Sequence, residues 1–250
     1  MHLLLQFLPF HLLSNVIDLS SWADKGTFAS DMITATNSAK HQWDYISKVT
    51  ESGFLRLLGK ELRSADIDNP KRALKIIEAT TDEIFSGNIP CITDKPSQFH
   101  ALLVSYLIAS VEHLSDILGE AEAKRIIGSC FSKNGGFWIK WSMKLGLLFS
   151  RHKFSYLVQH CGNGVRDAFG NGFDIEVDTD NKSYLTTIVW KCGFNEILRR
   201  HNKEHLTKLM CSWDDNWSDV VNSFDKLSFA RPKTIANGCK CCEFKIEAKR

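Results

Sequence analysis

The spacing of apolar residues predicts helices over the first two-thirds of the chain. Five segments carry apolar side chains at helical intervals, and Gly, Pro or Asn residues separate most of them. The predicted helices cover residues 38–60, 70–86, 97–118, 120–131 and 137–160, the last one broken around 150–153. We therefore expect a helical bundle in the N-terminal part of the chain.

The hydrophobic period changes from helical to alternating after residue 170. Phe173, Ile175 and Val177 alternate with acidic residues, which is typical of a half-buried strand. The β-branched and aromatic segment 184–190 predicts the returning strand of a hairpin. Further elements are predicted as helices over 193–201 and 204–221 and strands over 227–230 and 242–246.

These elements predict an α+β fold in which an N-terminal helical bundle is followed by a β-β-α-α-β-β antiparallel-sheet unit. We divide the chain into a helical region of unknown role, residues 1–95, and an α+β domain, residues 96–250. A single continuous domain is the alternative.

The composition is that of a globular protein without a nucleic-acid partner. Apolar residues make up 44% of the 250 residues and charged residues 24%, and the net charge is +2 without a long Lys/Arg block. The apolar segment 1–17 lacks a basic start and is shorter than a membrane span, so we expect it to pack on the domain, with a targeting segment as the alternative. No later stretch is predicted to cross a bilayer. We expect a cytoplasmic protein with reduced thiols.

The cysteines concentrate near the C-terminus. Five of the eight lie in the last sixty residues: Cys192, Cys211, Cys239, Cys241 and Cys242. The last three form C-x-C and C-C pairs without a histidine at zinc-finger spacing, which argues against zinc. We predict no metal and no other cofactor.

One flank of the 204–221 helix carries a thiol, a carboxylate and a hydroxyl group beside an apolar stripe. Cys211, Asp214 and Ser218 fall on neighbouring surface because their spacing is i, i+3 and i+7. Burial at such an edge raises the pKa of a carboxyl group and favours proton acceptance near neutrality. The alternative is that Cys211 is a small core residue and Asp214 a solvated neighbour of Asp215.

Three further side chains are candidates on more general grounds. Cys192 precedes a predicted helix, whose dipole favours a thiolate. Arg231 either supplies a cation to a thiol or binds a substrate carboxylate through two hydrogen bonds. His160 is a candidate base, although an isolated histidine is more often structural. Ordinary packing is the alternative for each of them.

The segment 173–246 joins several short motifs. A strand leads into a cysteine, a C-x-x-D pattern follows, and the chain ends with R-x-x-T-x-A-x-G and C-x-F elements. The residues that carry these motifs are Cys192, Cys211, Asp214, Arg231, Thr234, Gly238 and Cys242. In this combination the segment resembles the L-2-amino-thiazoline-4-carboxylic acid hydrolase family. The extra cysteines Cys239 and Cys241 depart from the family pattern.

The resemblance implies a hydrolase that opens a cyclic amidine-like C–N bond of a small carboxylate substrate such as 2-amino-thiazoline-4-carboxylate. It implies catalytic roles for Cys211, as nucleophile, or Asp214, as the base that activates water. Arg231, Thr234, Cys192 and Cys242 would bind the substrate. A homodimer is left open.

Two other functions remain open at this point. One is a non-catalytic small-molecule-binding or sensor domain of the vinyl-reductase type, which has a similar order of elements. The other is a role in protein assembly alone, which Trp213 or Trp217 filling the site would favour.

Overall fold

The fold is described from a computed structural model, in which residues 28–134 and 136–249 are described. The ten α-helices in this part of the chain are Phe28–Ser64 (α1), Pro70–Asn88 (α2), Lys95–Leu118 (α3), Glu120–Lys133 (α4), Gly136–Phe149 (α5), Lys153–Leu157 (α6), Val165–Phe169 (α7), Gly193–Arg200 (α8), Thr207–Cys211 (α9) and Asp215–Asn222 (α10). The strands are Asp174–Thr179 (β1), Tyr184–Lys191 (β2), Leu227–Lys233 (β3) and Cys242–Ala248 (β4). The predicted α+β class is confirmed. The apolar segment 1–17 lies outside the described residues.

Helix α3 is the centre of the helical layer. Its start is fixed by a capping box, in which the Asp94 carboxylate accepts a hydrogen bond from the Ser97 amide at 2.8 Å and the Ser97 hydroxyl accepts one from the Asp94 amide at 2.9 Å. Side chains of α3 share one buried cluster with α1, α2, α4 and α8. Residues on both sides of position 95 therefore pack in one core, and the division into two regions at that position stays a prediction.

Helix α3 also corrects one expectation about membranes. It has 24 residues and is long and apolar enough to cross a bilayer, so the prediction that no later stretch could do so was wrong for this helix. Of its most apolar window of 18 residues, 56% is buried inside the fold. That burial is typical of the core helix of a folded domain.

Helix α1 continues past the glycine at which we expected it to end. The sequence predicts an end near Gly59, whereas the helix runs to Ser64. A Cβ atom at position 59 would approach the side chain of Leu74 in α2 to 3.1 Å. Gly59 therefore allows two helices to pack closely rather than capping one of them.

The four strands form one antiparallel sheet in the order β1-β2-β4-β3. Cys242 of β4 lies opposite Val189 of β2, Phe244 opposite Thr187, and Ile246 opposite Leu185. These pairs share one face of the sheet, since side chains alternate between faces along a strand. This face packs against the helices and carries the candidate site.

Strand β3 contains a bulge that the sequence did not predict. It was expected to end at Ala230 but reaches Lys233, with a register shift between these two residues. The bulge holds Arg231 and Pro232, and proline has no N–H to donate to a neighbouring strand. A bulge bends its strand and re-aims a side chain, and here the affected residue is Arg231.

The prediction of one continuous helix over 204–221 was wrong. The structure divides it into a 3₁₀ turn at Glu204–Leu206, α9, a second 3₁₀ turn at Ser212–Asp214, and α10. The Ser212 hydroxyl donates to the Leu209 carbonyl at 2.7 Å, and the Asn216 amide donates to the Trp213 carbonyl at 3.0 Å. Such side-chain bonds compete with the α-helical ladder, and the tighter turn places Asp214 at a junction.

Candidate functional site

Asp214 and Arg231 form an ion pair at the junction between α9 and α10. The Asp214 Oδ2 atom accepts a hydrogen bond from Arg231 Nη1 at 3.0 Å, and its Oδ1 atom accepts one from the Trp217 indole at 3.3 Å. The two charged side chains are 23% and 22% exposed. The pair is therefore largely buried but still in contact with solvent.

Arg231 connects three elements of the site. Besides Asp214, its Nη1 donates to the Cys211 carbonyl at the end of α9, at 3.2 Å. Its guanidinium carbon lies 5.9 Å from the centre of the Phe244 ring on β4. The Nη2 atom is 3.8 Å from Asp215, beyond hydrogen-bond length. Nη2 can therefore still bind an incoming anion.

The environment of Asp214 makes its carboxyl group an unusual acid. Burial raises its pKa to about 6, and the neighbouring Asp215 acts in the same direction. The Arg231 cation and the indole hydrogen bond act against this rise. A carboxyl group with a pKa near 6 exchanges its proton close to neutral pH, which is what a general base requires.

Cys211 lies beside this ion pair as a half-buried thiol. Burial raises its pKa to about 12, and the charge of Asp214 contributes to the rise, whereas Arg231 opposes it. At neutral pH the group is therefore protonated. A protonated thiol can donate a hydrogen bond but is not a ready nucleophile.

Cys192 and Cys242 lie deeper, in a cluster with Ile175 and Val189. The Cys242 sulfur accepts a hydrogen bond from the Ile235 amide at 3.3 Å. Cys192 caps the N-terminus of α8, as the sequence predicts. The expected thiolate there is not supported, because burial raises the pKa of Cys192 to about 12 and outweighs the opposing effect of the helix amides.

Thr234 follows β3 and precedes a 3₁₀ turn at Ile235–Asn237. The turn is closed by Gly238, whose φ of +85° favours glycine. The side chain of Thr234 is buried, and its hydroxyl has no hydrogen-bond partner among residues 28–134 and 136–249. A buried hydroxyl without a partner costs about 1–3 kcal/mol. A ligand that bonded to it would remove that cost.

The structure brings the predicted site residues into one neighbourhood. Electrostatic interactions link the Cys192 thiol with those of Cys211 and Cys242, and Cys242 in turn with Asp214 and Arg231. The recorded contacts of two other candidates, Ser218 and His160, are with neighbours in their own segments and not with the site. Ser218 is buried and donates to a backbone carbonyl of its own helix at 3.4 Å, and His160 packs 4.3 Å from the ring of Tyr156.

Sequence reasoning missed the role of Trp217. Its indole donates to Asp214, and its ring packs edge-on against Phe229 at 4.7 Å and lies 6.2 Å from Phe244. The i+3 spacing from Asp214 is a signal that could have found it. Trp213 points elsewhere, since its indole donates to the carbonyl of Asn134 at 3.3 Å.

His100 on α3 is a second residue that the sequence did not single out. Its ring is buried among the rings of Phe169, Phe173 and Phe194, and its Nδ1 atom has no hydrogen-bond partner in the described part of the chain. Burial lowers its pKa to about 4, so the ring is neutral at pH 7. Phe194 also packs against the cluster of Cys192 and Cys242. Nothing in the apolar run around position 100 indicates this arrangement.

The C-terminal cysteines do not form a metal site in the described residues. No group of three His, Cys, Asp or Glu side chains in residues 28–134 and 136–249 has the geometry to hold a metal ion. Cys239 is exposed, whereas Cys241 and Cys242 are buried.

A family model for L-2-amino-thiazoline-4-carboxylic acid hydrolase matches residues 97–246, from the first turns of α3 to β4. The match contains every residue of the ion pair and the thiol cluster. The chain belongs to this family. Comparison with curated proteins and with solved structures found no match. The family match also extends over α3 to α7, beyond the segment 173–246 on which the sequence resemblance depended.

Proposed function

We propose that the protein is a hydrolase that adds water to a cyclic amidine carbon in a small carboxylate, such as 2-amino-thiazoline-4-carboxylate, and so opens the ring. The observation that carries the proposal is the Asp214 carboxyl group, whose pKa is about 6 and which Arg231 and Trp217 hold in place. Membership of the hydrolase family supports the substrate class. We also infer a cytoplasmic location, because all eight cysteines are free.

The proposed reaction begins with ionised Asp214 as a general base. It takes a proton from water as the oxygen bonds to the amidine carbon, and the C=N double bond becomes a single bond. The tetrahedral carbon then expels a ring atom and becomes a carbonyl carbon. Loss of the ring nitrogen breaks the C–N bond and leaves an amine, whereas loss of the ring sulfur leaves a urea and a free thiol. The proton taken by Asp214 first passes to the ring nitrogen, which the addition has made strongly basic. As the tetrahedral carbon becomes a carbonyl carbon, Asp214 takes the proton of the new hydroxyl group and gives it to the leaving atom, which is the same nitrogen in the first case and the sulfur in the second.

The other residues bind the substrate in this proposal. Nη2 of Arg231 binds the carboxylate while Nη1 keeps Asp214 in position. The hydroxyl of Thr234 bonds to a polar atom of the ring. The protonated Cys211 donates a hydrogen bond, and Cys192 and Cys242 form the apolar floor. We favour this route over attack by Cys211, since its pKa of about 12 keeps the thiol protonated.

Incubation of the full chain with 2-amino-thiazoline-4-carboxylate tests the proposal. Mass spectrometry should show a product heavier than the substrate by one water, and a thiol reagent distinguishes the two bonds that can break. A rise in melting temperature without any product would instead support the non-catalytic binding domain.

The substitution Thr234→Val tests the binding role of the orphaned hydroxyl. Valine has the same shape, and the native hydroxyl makes no internal bond in the described residues, so we expect no loss of thermal stability. The KM for the substrate should rise about tenfold, because about 1–1.5 kcal/mol of hydrogen bonding is lost. Steady-state kinetics and thermal unfolding measure both effects.

Thr207→Val is the matched control for this substitution. The Thr207 hydroxyl is also buried, but it donates to the Asn195 side chain at 3.0 Å. This variant should lose about 1–3 kcal/mol of unfolding free energy and keep its KM. An unchanged KM in Thr234→Val would remove Thr234 from the binding site.

A further inference from the structure

The solvent-facing side of α5 exposes three large apolar side chains. Trp141 is 49% exposed, Leu148 is 53% exposed and Phe149 is 85% exposed. Trp141 and Leu148 are seven residues apart and therefore lie on the same face of the helix. Folded proteins seldom expose such groups together unless the surface binds a partner.

The surrounding chain has a marked excess of positive charge. Residues 123–166 include eight Lys or Arg residues and no Asp or Glu, although the net charge of the whole chain is only +2. Lys140 pairs with Asp219 at 3.6 Å. Among the side chains that the structure describes, Lys144 and Arg151 have no ion-pair partner, in contrast to Lys140. Their charges are therefore available to an external anion.

The free charges lie next to the exposed apolar groups. Lys144 is three residues from Trp141 and four from Leu148, so its ammonium group borders the apolar strip. Arg151 follows two residues after the C-terminal end of the helix, whereas Lys153 is engaged with the Phe224 ring, 6.0 Å from its centre. A helix with large apolar groups on one face and cations at the edges of that face is typical of a segment that lies in a membrane interface.

The opposite side of α5 is held by the fold. Leu147 is fully buried, and Met143 packs with it against a cluster that includes Leu157 and Val221. A partner can therefore reach only the outer face of the helix. The cations that border this face favour an anionic lipid surface as the partner.

We propose that α5 binds an anionic lipid surface. Trp141, Leu148 and Phe149 enter the boundary between headgroups and acyl chains, and Lys144 and Arg151 contact lipid phosphates. The enzyme would thus be held at a membrane surface without spanning it. This inference is independent of the reaction at Asp214.

Sedimentation of the full chain with lipid vesicles tests the proposal. We expect binding to vesicles of phosphatidylcholine with about a third phosphatidylserine, weaker binding to phosphatidylcholine alone, and weakening by salt. The double substitution Leu148→Ser/Phe149→Ser should lower the partition coefficient at least about tenfold. Both sites are exposed, so melting temperature and circular dichroism should remain as in the wild type.

The double substitution Ile89→Ser/Ile117→Ser is the matched control, because it removes two exposed apolar side chains elsewhere in the fold. It should leave vesicle binding unchanged. The proposal is overturned if the wild type does not bind anionic vesicles, or if the α5 variant binds them as well as the wild type does. It is also overturned if the α5 variant abolishes a concentration-dependent dimer while vesicles have no effect, since the face would then bind a second copy.

Discussion

Replacing Asp214 by Asn lowers kcat/KM for ring opening by about 10²- to 10⁴-fold, which is the usual contribution of a general base. Asparagine keeps the shape of the side chain, and its carbonyl oxygen can still accept the hydrogen bond from Arg231. It cannot take a proton from water. The loss should therefore appear mainly in kcat, while thermal unfolding shows that the variant remains folded.

Asp215→Asn is the control for this prediction. Asp215 is adjacent in sequence, but its side chain is largely exposed and lies 3.8 Å from Arg231. We expect less than about a threefold loss, because screened surface charges contribute little. Cys211→Ser should lose less than about tenfold if water attacks directly. A loss in Cys211→Ser that equals the loss in Asp214→Asn would instead assign the attack to the thiol.

Replacing Arg231 by Met should destabilise the fold by about 3 kcal/mol at pH 8. Asp214 would keep its negative charge in a largely buried position without its cation, and removal of one partner from such a pair is costly. The Cys211 carbonyl would also lose its hydrogen bond from the guanidinium group. Urea unfolding at fixed pH measures the change.

The destabilisation in Arg231→Met should decrease on acidification. Without the cation the pKa of Asp214 rises further above its ordinary value, so the native state binds the proton more tightly than the unfolded chain does. Stability therefore falls as pH rises through the native pKa and is regained below it. The double variant Arg231→Met/Asp214→Asn should recover most of the lost free energy, since no buried charge remains.

Arg199→Met is the matched control for the loss of an arginine. Arg199 pairs with Glu196 at 3.3 Å on an exposed helix face. It should cost less than about 1 kcal/mol. Equal losses in Arg199→Met and Arg231→Met would contradict a special role for the buried pair.

Hydrophobic periodicity was sufficient to predict the fold class. The change from helical to alternating spacing near residue 173 located the sheet, and the break around 150–153 was confirmed between α5 and α6. Hydrophobic periodicity failed to predict the interruption between α9 and α10. There the short polar side chains of Ser212 and Asn216 compete for backbone groups. Apolar spacing alone cannot detect such local bonds.

The candidate site was predictable in its members but not in its bonds. The C-x-x-D pattern pointed to Cys211 and Asp214, yet no sequence pattern indicates that Arg231, seventeen residues later, would pair with Asp214. That pair depends on the bulge at Pro232 and on the turn at Ser212–Asp214. The sequence also could not predict that the Cys192 thiol stays protonated, because its pKa depends on how far burial outweighs the helix dipole.

The dependence of kcat/KM on pH, measured for the full chain between about pH 4.5 and 9, tests the role of Asp214 most directly. Only the ionised carboxylate accepts a proton, so the rate should rise with pH and level off above an apparent pKa of about 6. Below that value it should fall about tenfold per pH unit. A rate that stays constant through this range, or that begins to rise only above pH 8 as a thiolate forms, would contradict the account.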